Sequence, residues 1–145
     1  MSSKLFGTDG VRGVANQKVT PELAFQIGSA AGRWLLSQDP PNRILIGRDT
    51  RRSGPMLGAA LASGFCSVGI DVETLGVFPT GGVCYLSMKG EYGLGAVISA
   101  SHNPAEDNGI KLIGHDGRKI PEAAERWIED NLETQMERRP LGHEV

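Results

Sequence analysis

Apolar and polar positions change period several times along the chain, as strands alternating with helices require. After Thr20, residues Leu23, Ile27, Ala30, Ala31 and Trp34 recur on one helical face. Thr20 offers a hydroxyl N-cap, Pro21 pre-sets the first turn and Glu22 puts an acid at the positive dipole end, which predicts a helix to about Leu36. Gln38-Asp39-Pro40-Pro41-Asn42 breaks it, and Arg43 to Gly47 (RILIG) then predicts a short buried strand. Ser53-Gly54-Pro55 opens a second helix rich in Ala, Gly and Ser, whose small side chains suit close packing on a sheet. Ile70 to Gly76 alternates like a strand, and Pro79-Thr80 starts a shorter helix carrying Val83 and Leu86 to about Gly90. Leu94 to Ile98 is uncharged and apolar enough to be a central strand, and Ile110 to Ile113 returns after a loop. Pro121 opens a last helix with Ala124, Ile128 and Leu132 at four-residue spacing, Trp127 beside them and a supporting Glu122–Arg126 pair. The tail Arg138 to Val145 has no periodicity and reads as a linker or a cut end. The expected fold is a single layered α/β domain over residues 1–135, with a mixed, mostly parallel sheet of about four strands packed by helices. Residues 136–145 then lead out of it.

Composition narrows the function. The chain has 145 residues, 15 Lys+Arg against 17 Asp+Glu and a formal net charge of −2. That balance argues against nucleic acid or an anionic membrane as partner, since both select for excess Lys and Arg. The weakly polar run Leu57 to Ile70 is too short to span a bilayer. The N-terminus lacks the apolar stretch of a secretory signal, and there is no Asn-x-Ser/Thr site. Cys66 and Cys84 sit in apolar surroundings without a spaced framework, so free thiols in a reducing cytoplasm are expected. The 20 glycines have no collagen-like period and predict many tight backbone turns.

Three loops look chemical. In Phe6-Gly-Thr-Asp-Gly-Val-Arg-Gly13, glycines at three-residue spacing let backbone approach a ligand closely, and Arg12 brings a planar cationic fork. Spacing alone favours an ordinary glycine-rich turn with a solvated arginine. Gly47-Arg-Asp-Thr-Arg-Arg-Ser-Gly54 follows a predicted strand and precedes a helix, where anions gather in α/β folds. Its three arginines could meet phosphate. Equally, Asp49 could pair with an arginine to stiffen the loop. Ser99-Ala-Ser-His-Asn-Pro-Ala-Glu-Asp-Asn-Gly-Ile-Lys111 is the most informative. An apolar strand delivers Ser99 and Ser101 into a turn marked by Asn103-Pro104 and closed by Asn108-Gly109. The returning strand turns Ile110 and Leu112 to the core and Lys111 away from it. An oxygen nucleophile and a mobile cation could then share one pocket, which suits phosphoryl transfer.

Other chemistries fit less well. There is no Gly-x-Ser-x-Gly elbow, and adjacent Ser101 and His102 project in different directions, so a hydrolase triad is disfavoured. His102 has an ordinary alternative as a turn residue bonded to backbone. His115 and His143 have no ligand-like spacing, and no cluster makes a self-sufficient metal site. A generic nucleotide-binding domain is disfavoured because neither Gly-x-Gly-x-x-Gly nor a Walker A loop occurs.

FGTDGVRG, GRDTRRSG and ISASHNPAEDNGIKL, in that order between Phe6 and Leu112, resemble the first domain of the phosphohexomutase superfamily. The likeness runs to about Leu132, and the combination is most similar to the glucosamine-phosphate branch of that superfamily. It implies that Ser101 is carried as phosphoserine, with His102 beside it, Lys111 assisting proton transfer and charge, and Arg12 approaching the phosphoserine. Arg12, Arg48 and Asn103 are the expected substrate- and phosphate-binding residues. The resemblance further implies interconversion of glucosamine 6-phosphate and glucosamine 1-phosphate through a bisphosphorylated sugar, on the route to UDP-N-acetylglucosamine. One Mg²⁺ would be ligated by the phosphoserine. The superfamily's Asp-Gly-Asp-x-Asp metal loop, its Gly-Glu-x-Ser-Gly-His sugar motif and its last phosphate-binding loop are all absent from these residues. The implied partners are therefore a hexosamine phosphate and the missing C-terminal domains. An uncovered domain face opens self-association, and these residues alone are expected to be inactive. The alternatives are a phosphomannomutase or phosphoglucomutase first domain, and a stand-alone domain that binds sugar phosphate or a partner without catalysis.

Overall fold

The computed structural model describes residues 4–38, 41–134 and 140–145. The predicted break at Asp39-Pro40 and the boundary at 135/136 lie outside them. The elements run β1 (Val11–Val14), α1 (Pro21–Ser37), β2 (Arg43–Arg48), α2 (Gly54–Cys66), β3 (Asp71–Val77), α3 (Thr80–Lys89), β4 (Leu94–Ile98), β5 (Asp107–Gly114) and α4 (Glu122–Asp130). They build one five-stranded sheet in the order β1-β5-β4-β2-β3. β2 pairs in parallel with β3 and β4, while β5 is antiparallel to both β4 and β1. Four strands thus point one way and β5 alone reverses.

The sheet is mixed, as expected, but its pairings divide evenly, two parallel and two antiparallel, and it has a fifth strand. That strand, β1, lies in the glycine-rich segment read only as a ligand loop. Its single fully buried side chain is Val11, and Gly13 has none, so no period-2 signal existed to find it.

α1 starts where the sequence says it should: the Leu23 amide donates to Thr20 Oγ1 at 3.0 Å. β4 is buried at all five positions and sits in the middle of the sheet. The larger core lies on one face, where Ile44, Ile46, Ile98, Ile110 and Leu112 meet Ile27, Leu57, Leu61, Phe65 and Ile128 of the helices. On the other face Leu45, Val97 and Ile113 meet Val83 of α3.

The small residues of α2 serve a different neighbour from the one expected. A Cβ at Gly64 would stand 2.2 Å from the Phe25 carbonyl oxygen, and one at Gly28 2.3 Å from that of Leu61. Glycines therefore bring α1 and α2 into backbone contact, while Leu57, Leu61 and Phe65 face the core.

Two smaller expectations change at the ends. Glu122 bonds Lys4 at 3.1 Å, with Arg126 acting on it only as a more distant charge; both partners of the Lys4 pair are exposed, so it adds little stability. The tail does not leave the domain at once. The Val72 amide donates to the His143 carbonyl (2.8 Å) and the Val145 amide to that of Val72 (2.7 Å), docking residues 143–145 on the outer edge of β3. No described helix is long and apolar enough to cross a membrane.

Candidate active site

β2 and β4 run in parallel, and the chain leaving each forms a loop at the same end of the sheet. The Asp49 amide donates to the Ile98 carbonyl at 3.1 Å, joining the two exits. The serine loop, residues 99–106, then returns into β5.

Ser101 is exposed and has φ +54°, a left-handed backbone that costs a serine roughly 1 kcal/mol or more. The surrounding bonds hold it there. Its amide donates to Ser99 Oγ (3.0 Å), and that hydroxyl donates to Asp49 Oδ2 (2.7 Å). Its carbonyl accepts from Arg51 Nη2 (2.9 Å). Ser101 Oγ has no hydrogen-bond partner among the described residues. His102 beside it is exposed as well.

Arg51, unnamed in the candidate set, is the hub of this loop. Its side chain is only 11% exposed and pairs with Asp49 through Nε at 3.1 Å. Nη1 donates to the carbonyls of Pro104 (2.6 Å) and Asp107 (3.1 Å), and Nη2 to those of Ser101 and Asn103 (3.0 Å). Of the two readings of the arginine loop, the pairing of Asp49 with an arginine is the one Arg51 follows. Burial tends to raise the Asp49 carboxyl, but hydrogen bonds from Ser99 and from the Arg51 amide and guanidinium, with the guanidinium charge, hold it below the usual range.

Asn103 is also engaged in closing the loop. Its amide donates to the Ala100 carbonyl (3.0 Å), and Nδ2 to Asp107 Oδ2 (3.2 Å).

Strand alternation sorts the cations between the two faces of the sheet. Lys111 pairs across from Val97 and so shares the α3 face, while Ile110 and Leu112 point into the larger core. Arg12 pairs across from Gly109 on the same face as Lys111. A Cβ at Gly109 would stand 2.8 Å from both Arg12 Cγ and the Ser99 carbonyl oxygen, so the arginine stem lies against the start of the serine loop. Arg12 Nε is buried without a partner, and its nearest carboxylate, Asp9 Oδ2, is 3.8 Å from Nη1. Lys111 is half-buried and has no hydrogen-bond partner among the described residues. Two cations with uncommitted donors therefore share one face of the sheet, with the stem of Arg12 against the start of the serine loop.

Arg48 is placed elsewhere. β2 runs one residue further than expected, and alternation puts Arg48 with Ile44 and Ile46 on the opposite face. There it lines a cleft of about 230 Å³ with Gly54, Gly58, Thr74, Gly76 and Glu144.

The N-terminal loop is anchored by a second residue that the sequence did not single out. Lys119 Nζ donates to the carbonyls of Gly7 (3.0 Å) and Thr8 (3.1 Å) and lies 3.5 Å from Glu125 Oε1. Burial pushes the Glu125 carboxyl up, and Lys119 offsets only part of that. Gly10 closes the loop onto β5: it has φ +87°, and a Cβ there would lie 2.3 Å from the Ile110 carbonyl oxygen. Among the described residues, no three His, Cys, Asp or Glu side chains are grouped to hold a metal ion.

The phosphoglucosamine mutase of Desulforamulus reducens is 55% identical over 145 residues, covering 99% of this chain and 33% of that protein. That of Syntrophomonas wolfei is 53% identical, covering 98% and 32%. Among solved structures, a phosphoglucomutase/phosphomannomutase family protein from Burkholderia thailandensis superposes with a TM-score of 0.86 at 27% identity, covering 100% of this chain and 33% of that one. A putative phosphomannomutase from Thermus thermophilus gives 0.83 at 28%, covering 100% and 34%. The chain thus spans about a third of the length of the curated relatives it matches. Residues 3–139 match the family described as phosphoglucomutase/phosphomannomutase, alpha/beta/alpha domain I. The chain belongs to the phosphoglucomutase/phosphomannomutase family, whose domain I it forms.

Proposed function

We propose that this chain is the phosphoryl-carrying domain of a phosphoglucosamine mutase, with Ser101 as the carrier. The observation that supports it best is the unpartnered, exposed Oγ of Ser101 on a backbone held left-handed by its own loop. Phosphoryl transfer asks mainly for positioning and charge neutralisation, which a rigid loop and two uncommitted cations on one sheet face can supply. In the forward half-reaction a sugar hydroxyl attacks the phosphorus of phosphorylated Ser101, the bond to Ser101 Oγ breaks, a neighbouring base takes the hydroxyl proton and Oγ leaves as a protonated hydroxyl. The bisphosphorylated sugar then turns, and its other phosphoryl group returns to Ser101. Arg12 would bind phosphoryl oxygens through its free donors, and Lys111 would offset charge and move the proton. His102 stands next to the nucleophile and is the second group able to carry a proton there. Asn103 contributes by shaping the loop, and Arg48 is left outside the group.

The substrate pair we propose is glucosamine 6-phosphate and glucosamine 1-phosphate, in the cytoplasm. Relatives named phosphoglucosamine mutase reach 55% identity, while the structures named for phosphomannomutase stand at 27% and 28%. The Mg²⁺ implied by the resemblance would take a phosphoryl oxygen of phosphorylated Ser101. The described side chains do not form the rest of a metal site. Turnover would accordingly need the further domains that the longer relatives have. The test is the intact polypeptide carrying this domain: Ser101→Ala should abolish turnover, and retained turnover would reject the reading.

A further inference from the structure

The bonds around Ser101 form a closed ring. Its amide donates to Ser99 Oγ, Ser99 donates to Asp49, Asp49 accepts from Arg51 Nε, and Arg51 donates back to the Ser101 carbonyl. Both ends of the Ser101 backbone are tied to one carboxylate–guanidinium pair. The ring can therefore hold the +54° torsion against the side chain's own preference. A guanidinium has five N–H donors, and each of Arg51's is used: one on Asp49 and four on the carbonyls of Ser101, Asn103, Pro104 and Asp107. No donor remains for a phosphate. The carbonyl oxygens it collects would repel a phosphoryl group if they faced one, and they are turned onto a cation instead.

We infer that Arg51 is a positioning residue for phosphoryl transfer: it fixes the backbone of Ser101 so that Oγ is presented to the incoming group, and it binds neither substrate nor phosphate itself. This inference rests on the reading of Ser101 as phosphoryl carrier. It also predicts that lysine cannot replace Arg51. An ammonium has three donors and no planar fork, so it cannot hold four carbonyls and a carboxylate together.

The test is steady-state kinetics on the intact mutase polypeptide, with glucosamine 1-phosphate as substrate. Arg51→Lys should lower kcat by about 100-fold and leave KM within about threefold, as displacement of a reacting group does. Circular dichroism at the assay temperature establishes that the variant is folded. If it is not, Asp49→Ala, which removes the oxygen that accepts from both Ser99 Oγ and Arg51 Nε, should show the same kcat-only loss at about 10-fold. An unchanged kcat, or a rise in KM alone, in the folded variant overturns the inference. Ser101→Ala, run alongside, separates the two claims. If Ser101→Ala stays active, the carrier reading fails; if it is inactive while kcat survives the loss of the ring, only the role of Arg51 fails.

Discussion

The Ser101 carbonyl accepts a 2.9 Å hydrogen bond from Nη2 of Arg51, a residue fifty positions earlier in the chain. A backbone torsion that serine avoids is thereby set by a side chain from a different strand exit. Local conformation at the proposed nucleophile is a tertiary property.

This strain has a measurable sign. Ser101→Gly should equal or exceed the parent in stability by up to about 1 kcal/mol, since glycine adopts positive φ freely. Ser101→Ala should gain nothing. Urea unfolding of the 145-residue chain checks the pair, and an alanine variant more stable than the glycine variant would contradict the account.

Gly10 should tolerate no side chain. Its φ of +87° and the 2.3 Å approach to a backbone oxygen leave nothing flexible to move, so Gly10→Ala should cost about 2 kcal/mol or more. Gly81, inside α3 with nothing within 4 Å of its Cβ position, is the control. Gly81→Ala should stabilise by about 0.5 kcal/mol.

Asp49 gives the loop an acid limb. Its folded carboxyl titrates below the unfolded one, so its contribution is complete above the unfolded pKa of about 4 and is lost as pH falls through the folded value. Asp49→Asn should flatten the stability curve in that window and leave its slope near neutrality unchanged. Thermal melts from about pH 2 to 7 read this directly; an unaltered acid limb would show that the carboxylate is not held by its partners.

Much of this fold was legible because its signals are local. Thr20 caps the helix its own neighbours form, and β4 is recognisable by having no polar residue at all. The alternation that sends Ile110 and Leu112 inward and Lys111 outward needs only three residues. What escaped the sequence depends on distant partners. Arg51 looks like its neighbours Arg48 and Arg52 until the carbonyls of residues 101–107 close around it. Arg48, expected in the loop, lies in the sheet because β2 runs one residue further than its apolar run. β1 hides in a glycine motif because pairing with β5, not burial of its own side chains, makes it a strand.

The 145 residues alone should show no mutase turnover with Mg²⁺ present, because they span about a third of the length of the relatives named as mutases. Measurable Mg²⁺-dependent activity of the purified chain would contradict the proposed division of labour between this domain and the rest of the relatives' length.

The most direct measurement follows the phosphoryl group itself. The intact polypeptide is incubated with ³²P-labelled glucosamine 1,6-bisphosphate, digested and sequenced, with Ser101→Ala in parallel. The account predicts label on Ser101 in the parent and none on the variant. Label that persists in the alanine variant, or that sits on any other residue of the parent, would contradict it.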